Sequence, residues 1–159
     1  MLPAVDAVCL AALVTSLFVS SSRDLSDRTI PNGCSAVAAL SGIVRSASHG
    51  LLARSLAGVV VVLALMVLVA AVFAAVRGEP GVGGGDVKLL SAVAAWVGPV
   101  GGLLVVGASC LLGVAGWVVA VTSRGLTPRL GTEGRGMPLA PAITMAALLA
   151  VLAVVAGAQ

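Results

Sequence analysis

The sequence predicts an all-α integral membrane protein, with a bundle of about six transmembrane helices forming a single domain over residues 1–159. Hydrophobic residues make up 60% of the chain and charged residues only 9%, whereas soluble domains average roughly 45–50% and about 25%. The apolar runs are long enough for helices that need about 20 residues per crossing. Six such helices leave no room for a separate soluble domain.

The individual spans follow from apolar runs that are interrupted by glycine, proline and charged residues. The first run has no basic residue before it, so we expect a retained span and not a cleaved signal peptide. The fourth stretch, Val87 to Val97, is short for a crossing unless it includes part of the preceding loop or Gly98–Val100. The other five spans are expected at about 3–22, 30–45, 55–76, 101–122 and 138–157.

The basic residues predict the orientation of the bundle. With the N-terminus outside, only Arg45 and Arg54 fall in external loops, and the other seven of the nine basic residues are internal. Lysine and arginine concentrate in the cytoplasmic loops of membrane proteins. We therefore expect a multi-pass protein of the inner (cytoplasmic) membrane with both termini outside. The internal basic residues are Arg23, Arg28, Arg77, Lys88, Arg124, Arg129 and Arg135.

Several function classes are disfavoured by composition. The basic residues are dispersed, and the chain has no tyrosine and two phenylalanines, which does not fit a nucleic-acid surface. Cys9, Cys34 and Cys110 stand apart from one another with no histidine at ligand spacing, so we expect packing residues and no metal site. No cofactor is expected either. The oligomeric state is left open.

The acidic residues are the candidates for chemistry, because ionisable residues in membrane segments are usually functional. Asp6, Glu79 and Glu133 fall at a span end or in loops, where water is available, and we expect no catalytic role for them. The remaining three of the six acids are Asp24, Asp27 and Asp86.

Asp86 follows a glycine-rich segment, Gly83-Gly84-Gly85, and leads into Val87-Lys88. Glycines there allow the backbone to approach a bound chain closely. Asp86 could also cap the helix that follows, at the positive end of its dipole. A phosphate-binding loop would end in Gly-Lys-Ser/Thr, which is missing, so nucleotide binding is not expected.

Asp24 and Asp27 follow the first span and could form a solvated charged turn, paired with nearby arginines. The predicted topology, however, places them on the same cytoplasmic side as Asp86. Two neighbouring carboxylates are what an aspartyl peptidase needs, since one takes a proton from water while the other polarises the scissile carbonyl. Two alternatives stay open: a small transporter or channel subunit that binds protons or cations at these acids, and a non-catalytic assembly protein whose small residues serve helix packing.

Three motifs resemble those of the type IV prepilin peptidases and archaeal preflagellin peptidases, which are Gly-x-Gly-Asp membrane proteases. An aspartate six positions before Ile-Pro-Asn is matched by Asp24 and by Ile30-Pro31-Asn32. Gly-x-Gly-Asp-Val-Lys-Leu is matched by Gly83 to Leu89. A looser Pro-x-x-Pro before the last helix is similar to Pro138-Leu139-Ala140-Pro141.

The resemblance implies a membrane-embedded aspartyl endopeptidase with catalytic Asp24 and Asp86. It selects Asp24 over Asp27, and implies supporting or substrate-binding roles for Gly83, Gly85, Lys88, Pro31 and Asn32. The substrate would be a prepilin-like protein with a basic leader and an apolar helix in the lipid bilayer, cut at the junction between the two. The chain lacks the cysteine-bearing segment of the bifunctional relatives, so the resemblance implies a peptidase without methyltransferase activity, as in Flp/Tad pilus systems.

Overall fold

The computed structural model describes residues 2–27, 30–78, 83–124 and 139–157. These residues form five helices and no strand, so the predicted all-α class is confirmed. In chain order, the helices are α1 Leu2–Asp27, α2 Asn32–Ser48, α3 Leu52–Arg77, α4 Gly84–Arg124 and α5 Ala140–Gly157.

The expected count of about six transmembrane helices is not supported. Within the described residues, three helices are long and apolar enough to cross a membrane: Ala4–Asp27, Leu52–Arg77 and Gly84–Gly116. α2 has only 17 residues, and the apolar part of α5, Ala140–Ala156, is also short. The predicted fourth and fifth spans are joined within α4 without an intervening loop.

α4 is broken sharply at Gly98, whose φ of 77° and ψ of −175° are not helical. A Cβ atom built on Gly102 would lie 2.8 Å from the Cβ of Ala94. In a straight helix these residues would be about 12 Å apart along the axis, at 1.5 Å per residue. The chain therefore turns back on itself at Gly98, which is where the sequence places the limit of the fourth apolar stretch.

The segment of α4 before Gly98 is the centre of the bundle, and residues 91–98 are all buried. α4 packs against α2, α3 and α5, and α1 packs against α2 and α5. The Oγ atom of Ser55 donates to the carbonyl of Ala95 at 2.8 Å, and Trp96 Nε1 donates to the carbonyl of Ala38 at 3.1 Å. These bonds fix the central segment, which begins near Asp86.

A polar cluster lies at the end of the bundle where α4 turns back. Asp6 Oδ1 is 2.9 Å from Nε2 of His49 and 3.3 Å from Nε of Arg45. Arg54 donates to the carbonyl of Val97 at 3.4 Å, just before the turn. Arg45 and Arg54, the two basic residues that the sequence assigned to the outside, thus share one end of the bundle.

Candidate active site

Asp24 lies in the last turns of α1 and is buried, with 8% of its surface exposed. It continues the buried face of α1, on which Leu13, Leu17 and Ser20 are fully buried. Its Oδ2 atom accepts a hydrogen bond from the backbone N–H of Ala140 at 3.0 Å. Because Ala140 begins α5, this carboxylate sits at the positive end of that helix dipole.

Asp27, three residues later, lies in a different environment. Its side chain is 56% exposed and its Oδ2 atom pairs with Nη1 of Arg23 at 3.2 Å, one helical turn away. Exposed pairs of this kind contribute about 0.3–0.5 kcal/mol to stability. The structure thus separates the two aspartates of this segment, with Asp24 facing the bundle interior and Asp27 facing out.

Asp86 lies in the first turn of α4 and is half-buried. The turn begins with a hydrogen bond from the N–H of Val87 to the carbonyl of Gly83, at 3.2 Å. The charges of Asp86 and Asp24 are close enough to interact. Carboxylates that are 62 positions apart in the sequence are therefore brought to the same end of the bundle.

The glycines before Asp86 differ in their surroundings. A Cβ atom on Gly85 would lie 2.9 Å from the Cβ of Ile30 and 3.3 Å from its Cγ1 and Cδ1 atoms. On Gly83 it would lie 3.1 Å from Oδ2 of Asp86, whereas on Gly84 it would meet nothing within 4 Å. Gly85 thus lets the start of α4 pack directly on Ile30, the first residue of the Ile-Pro-Asn motif.

A side-chain hydrogen bond also joins the two motifs. Nζ of Lys88 donates to Oδ1 of Asn32 at 2.9 Å, and so connects the beginning of α4 to the first residue of α2. Pro31 precedes that residue in an extended conformation, and its carbonyl accepts the N–H of Cys34 at 3.1 Å. All the residues that the sequence singled out around the two motifs therefore lie at one end of the bundle.

The contact of Asp24 with α5 is the feature that sequence reasoning missed. The sequence feature nearest to this contact is the loose Pro-x-x-Pro pattern, which contains Ala140. Leu139, Ala140 and Pro141 are in the described part of the chain, and Pro138 lies outside it. Glu79 and Glu133, for which no catalytic role was expected, also lie outside the described residues.

Within the described ranges, no group of three or more histidine, cysteine or acidic side chains could hold a metal ion.

Comparison with known proteins gives one match. The sequence model of the type IV leader peptidase family matches residues 11–118, which is more than half of the chain and includes both Asp24 and Asp86. No curated protein and no solved structure matches significantly. With a family model that covers both carboxylate-bearing segments, the chain belongs to the type IV leader peptidase family.

Proposed function

We propose that this protein is an aspartyl endopeptidase of the inner membrane that cleaves the basic leader peptide from prepilin-like precursors at the cytoplasmic face. One observation carries the proposal: Asp24 and Asp86 come from distant segments and lie at the same end of the bundle, beside the contact of Gly85 with Ile30. Membership of the leader peptidase family supports peptidase chemistry at this site.

Two neighbouring carboxylates share one proton, because ionising both would place like charges together. Asp24 is the member better placed to carry the negative charge, since it accepts the N–H of Ala140 at the start of α5 and helix N-termini stabilise anions. Asp86 then carries the proton. This division assigns the base to Asp24 and the acid to Asp86.

In the first step, Asp24 takes a proton from water while the water oxygen bonds to the scissile carbonyl carbon. Asp86 gives its proton to the carbonyl oxygen, and a tetrahedral diol results. In the second step, the C–N bond breaks and the amine nitrogen takes the proton from Asp24. One hydroxyl proton of the diol returns to Asp86, which leaves the new carboxyl group and restores both aspartates.

The substrate in this proposal has a basic leader in water and an apolar helix in the bilayer, so its cleavage site lies at the membrane surface. Asp24 and Asp86 lie at the ends of the apolar helices α1 and α4, which suits such a junction. Asp27 and Glu79 are the acids proposed to contact the leader. Asp27 is exposed, although Arg23 pairs with it. The peptidase-only activity stays a prediction.

The proposal is tested by reconstituting the purified protein in phospholipid vesicles with a prepilin-like precursor. Mass spectrometry should find one cut, between the basic leader and the apolar helix. Cleavage should persist in EDTA, because an aspartyl mechanism activates water with carboxylates alone. The transporter alternative predicts instead that the precursor stays intact and that protons or cations cross the vesicle membrane.

A further inference from the structure

Ser20 lies one helical turn before Asp24 on the same buried face of α1. Its side chain is completely buried, and its Oγ atom has no hydrogen-bond partner among the described residues. A buried hydroxyl without a partner lowers stability, because it has lost its hydrogen bonds to water. Such a group needs an explanation.

Several other buried serines in the bundle are satisfied within their own helices, although Ser35 of α2, like Ser20, has no partner among the described residues. Ser16 donates to the carbonyl of Leu13 at 2.8 Å, Ser91 to that of Val87 at 2.7 Å, and Ser109 to that of Val105 at 2.7 Å. This backbone contact is the usual solution for serine inside a helix. Ser20 departs from it, although it lies in the same helix as Ser16.

The neighbouring contacts between α1 and α5 give a reason. One backbone acceptor within reach of Ser20 is the carbonyl of Leu17, and Thr144 of α5 already donates to it at 3.4 Å. The same carbonyl accepts the helical N–H four residues later, so both of its lone pairs are engaged. Ser20 therefore lies between two contacts of α1 with α5, the Leu17–Thr144 contact and the Asp24–Ala140 contact.

Asp24 follows Ser20 by four positions on the same buried face of α1, and helical side chains at this spacing are neighbours. The two do not form a direct hydrogen bond, since the Ser20 hydroxyl has no hydrogen-bond partner among the described residues. Neighbouring polar groups without a direct hydrogen bond are commonly joined by a water molecule. One oxygen of Asp24, Oδ2, is already held by Ala140.

We propose that Ser20 is a positioning residue that holds the carboxylate of Asp24 through one bridging water molecule. With Ala140 on one side and Ser20 on the other, the carboxylate cannot rotate away from the attacking water. Ser20 neither gains nor loses a proton in the reaction. This role rests on the proposed peptidase function, and it explains why a buried hydroxyl with no partner in the described part of the chain lies beside the site.

The test compares Ser20→Ala with Ser16→Ala, a buried serine of the same helix whose hydroxyl is satisfied by Leu13. We expect kcat of Ser20→Ala to fall about tenfold or more at unchanged KM, since small misplacements of a catalytic group cost up to about a hundredfold. Its unfolding temperature in detergent should change little, because the hydroxyl has no direct partner among the described residues and the substitution removes only a water-mediated contact. Ser16→Ala should keep its kcat.

A kcat for Ser20→Ala within twofold of that of Ser16→Ala would overturn the proposal. A lowered unfolding temperature with activity lost in proportion would also overturn it, because it would show a purely structural serine. If the alanine variant does not accumulate, Ser20→Cys replaces it, because a thiol nearly preserves the side-chain volume but is only a weak hydrogen-bond donor. Its kcat should also fall relative to that of Ser16→Ala.

Asp24→Asn, measured in the same assay, separates the two proposals. If Asp24→Asn is inactive while Ser20→Ala cleaves normally, the peptidase function stands and the role of Ser20 fails. If Asp24→Asn cleaves normally, both fail.

Discussion

Replacing Gly85 by alanine tests whether the two motifs must pack directly on each other. The new methyl carbon would lie 2.9 Å from the Cβ of Ile30 and 3.3 Å from two further carbons of that side chain. Carbon atoms in contact prefer about 3.5–4.0 Å, so the start of α4 must move away from Ile30 by roughly 0.6–1 Å. Overpacking of this size costs about 1–3 kcal/mol in stability.

The displacement would lower activity as well as stability, because Asp86 directly follows Gly85 and would move with it. A shift of about 1 Å at a catalytic group costs up to about a hundredfold in rate, so we expect kcat for precursor cleavage to fall about ten- to a hundredfold. Gly84→Ala is the matched control, since its methyl group would meet nothing within 4 Å. Both variants are assayed in vesicles by the rate of leader release. Equal rates for Gly85→Ala and Gly84→Ala would refute the reasoning.

Two further experiments test the turn in α4 and the bond between the motifs. Gly98→Ala should lower the free energy of unfolding by about 1–3 kcal/mol, because its φ of 77° and ψ of −175° are essentially restricted to glycine. An added Cβ atom would also lie 2.7 Å from Nε of Arg54. Thermal unfolding in detergent measures this loss of stability. Gly107→Ala is the control and should change the stability little, because its Cβ position is surrounded by open space. Equal losses of stability in the two variants would contradict the account of the turn. For Lys88 and Asn32, a double-mutant cycle of Lys88→Met and Asn32→Ala should give a small but measurable coupling of about 0.2–1 kcal/mol, because both residues are exposed. A coupling of zero would show that their hydrogen bond does not hold the motifs together.

Composition alone was enough to predict the all-α class, because few charges and long apolar runs allow little else in a bilayer. The number of membrane spans could not be obtained in the same way. The chain reverses at Gly98 without a polar loop, and a hydropathy pattern does not distinguish such a turn from a kink in one helix. α2 is short and carries buried polar groups such as Arg45, which weakens the apolar signal further.

The motif spacing indicated which residues belong to the site, but not how they meet. The contact of Asp24 with the N–H of Ala140 joins residues 116 positions apart and has no local signal. The packing of Gly85 on Ile30 is equally non-local. The absence of a side chain at Gly85 permits this packing but does not predict it. The choice of Asp24 over Asp27 came from the resemblance, and the burial of Asp24 and exposure of Asp27 give a physical basis for testing it.

The most direct test of the central claim is precursor cleavage by Asp24→Asn, Asp86→Asn and Asp27→Asn, each reconstituted at equal amounts in vesicles. The isosteric amide keeps the shape of the site and removes its acid–base chemistry. The account predicts that no leader is released by the first two variants and that Asp27→Asn, changed at an exposed carboxylate, retains substantial activity. Full processing of the precursor by Asp86→Asn would contradict the assignment of a two-aspartate peptidase.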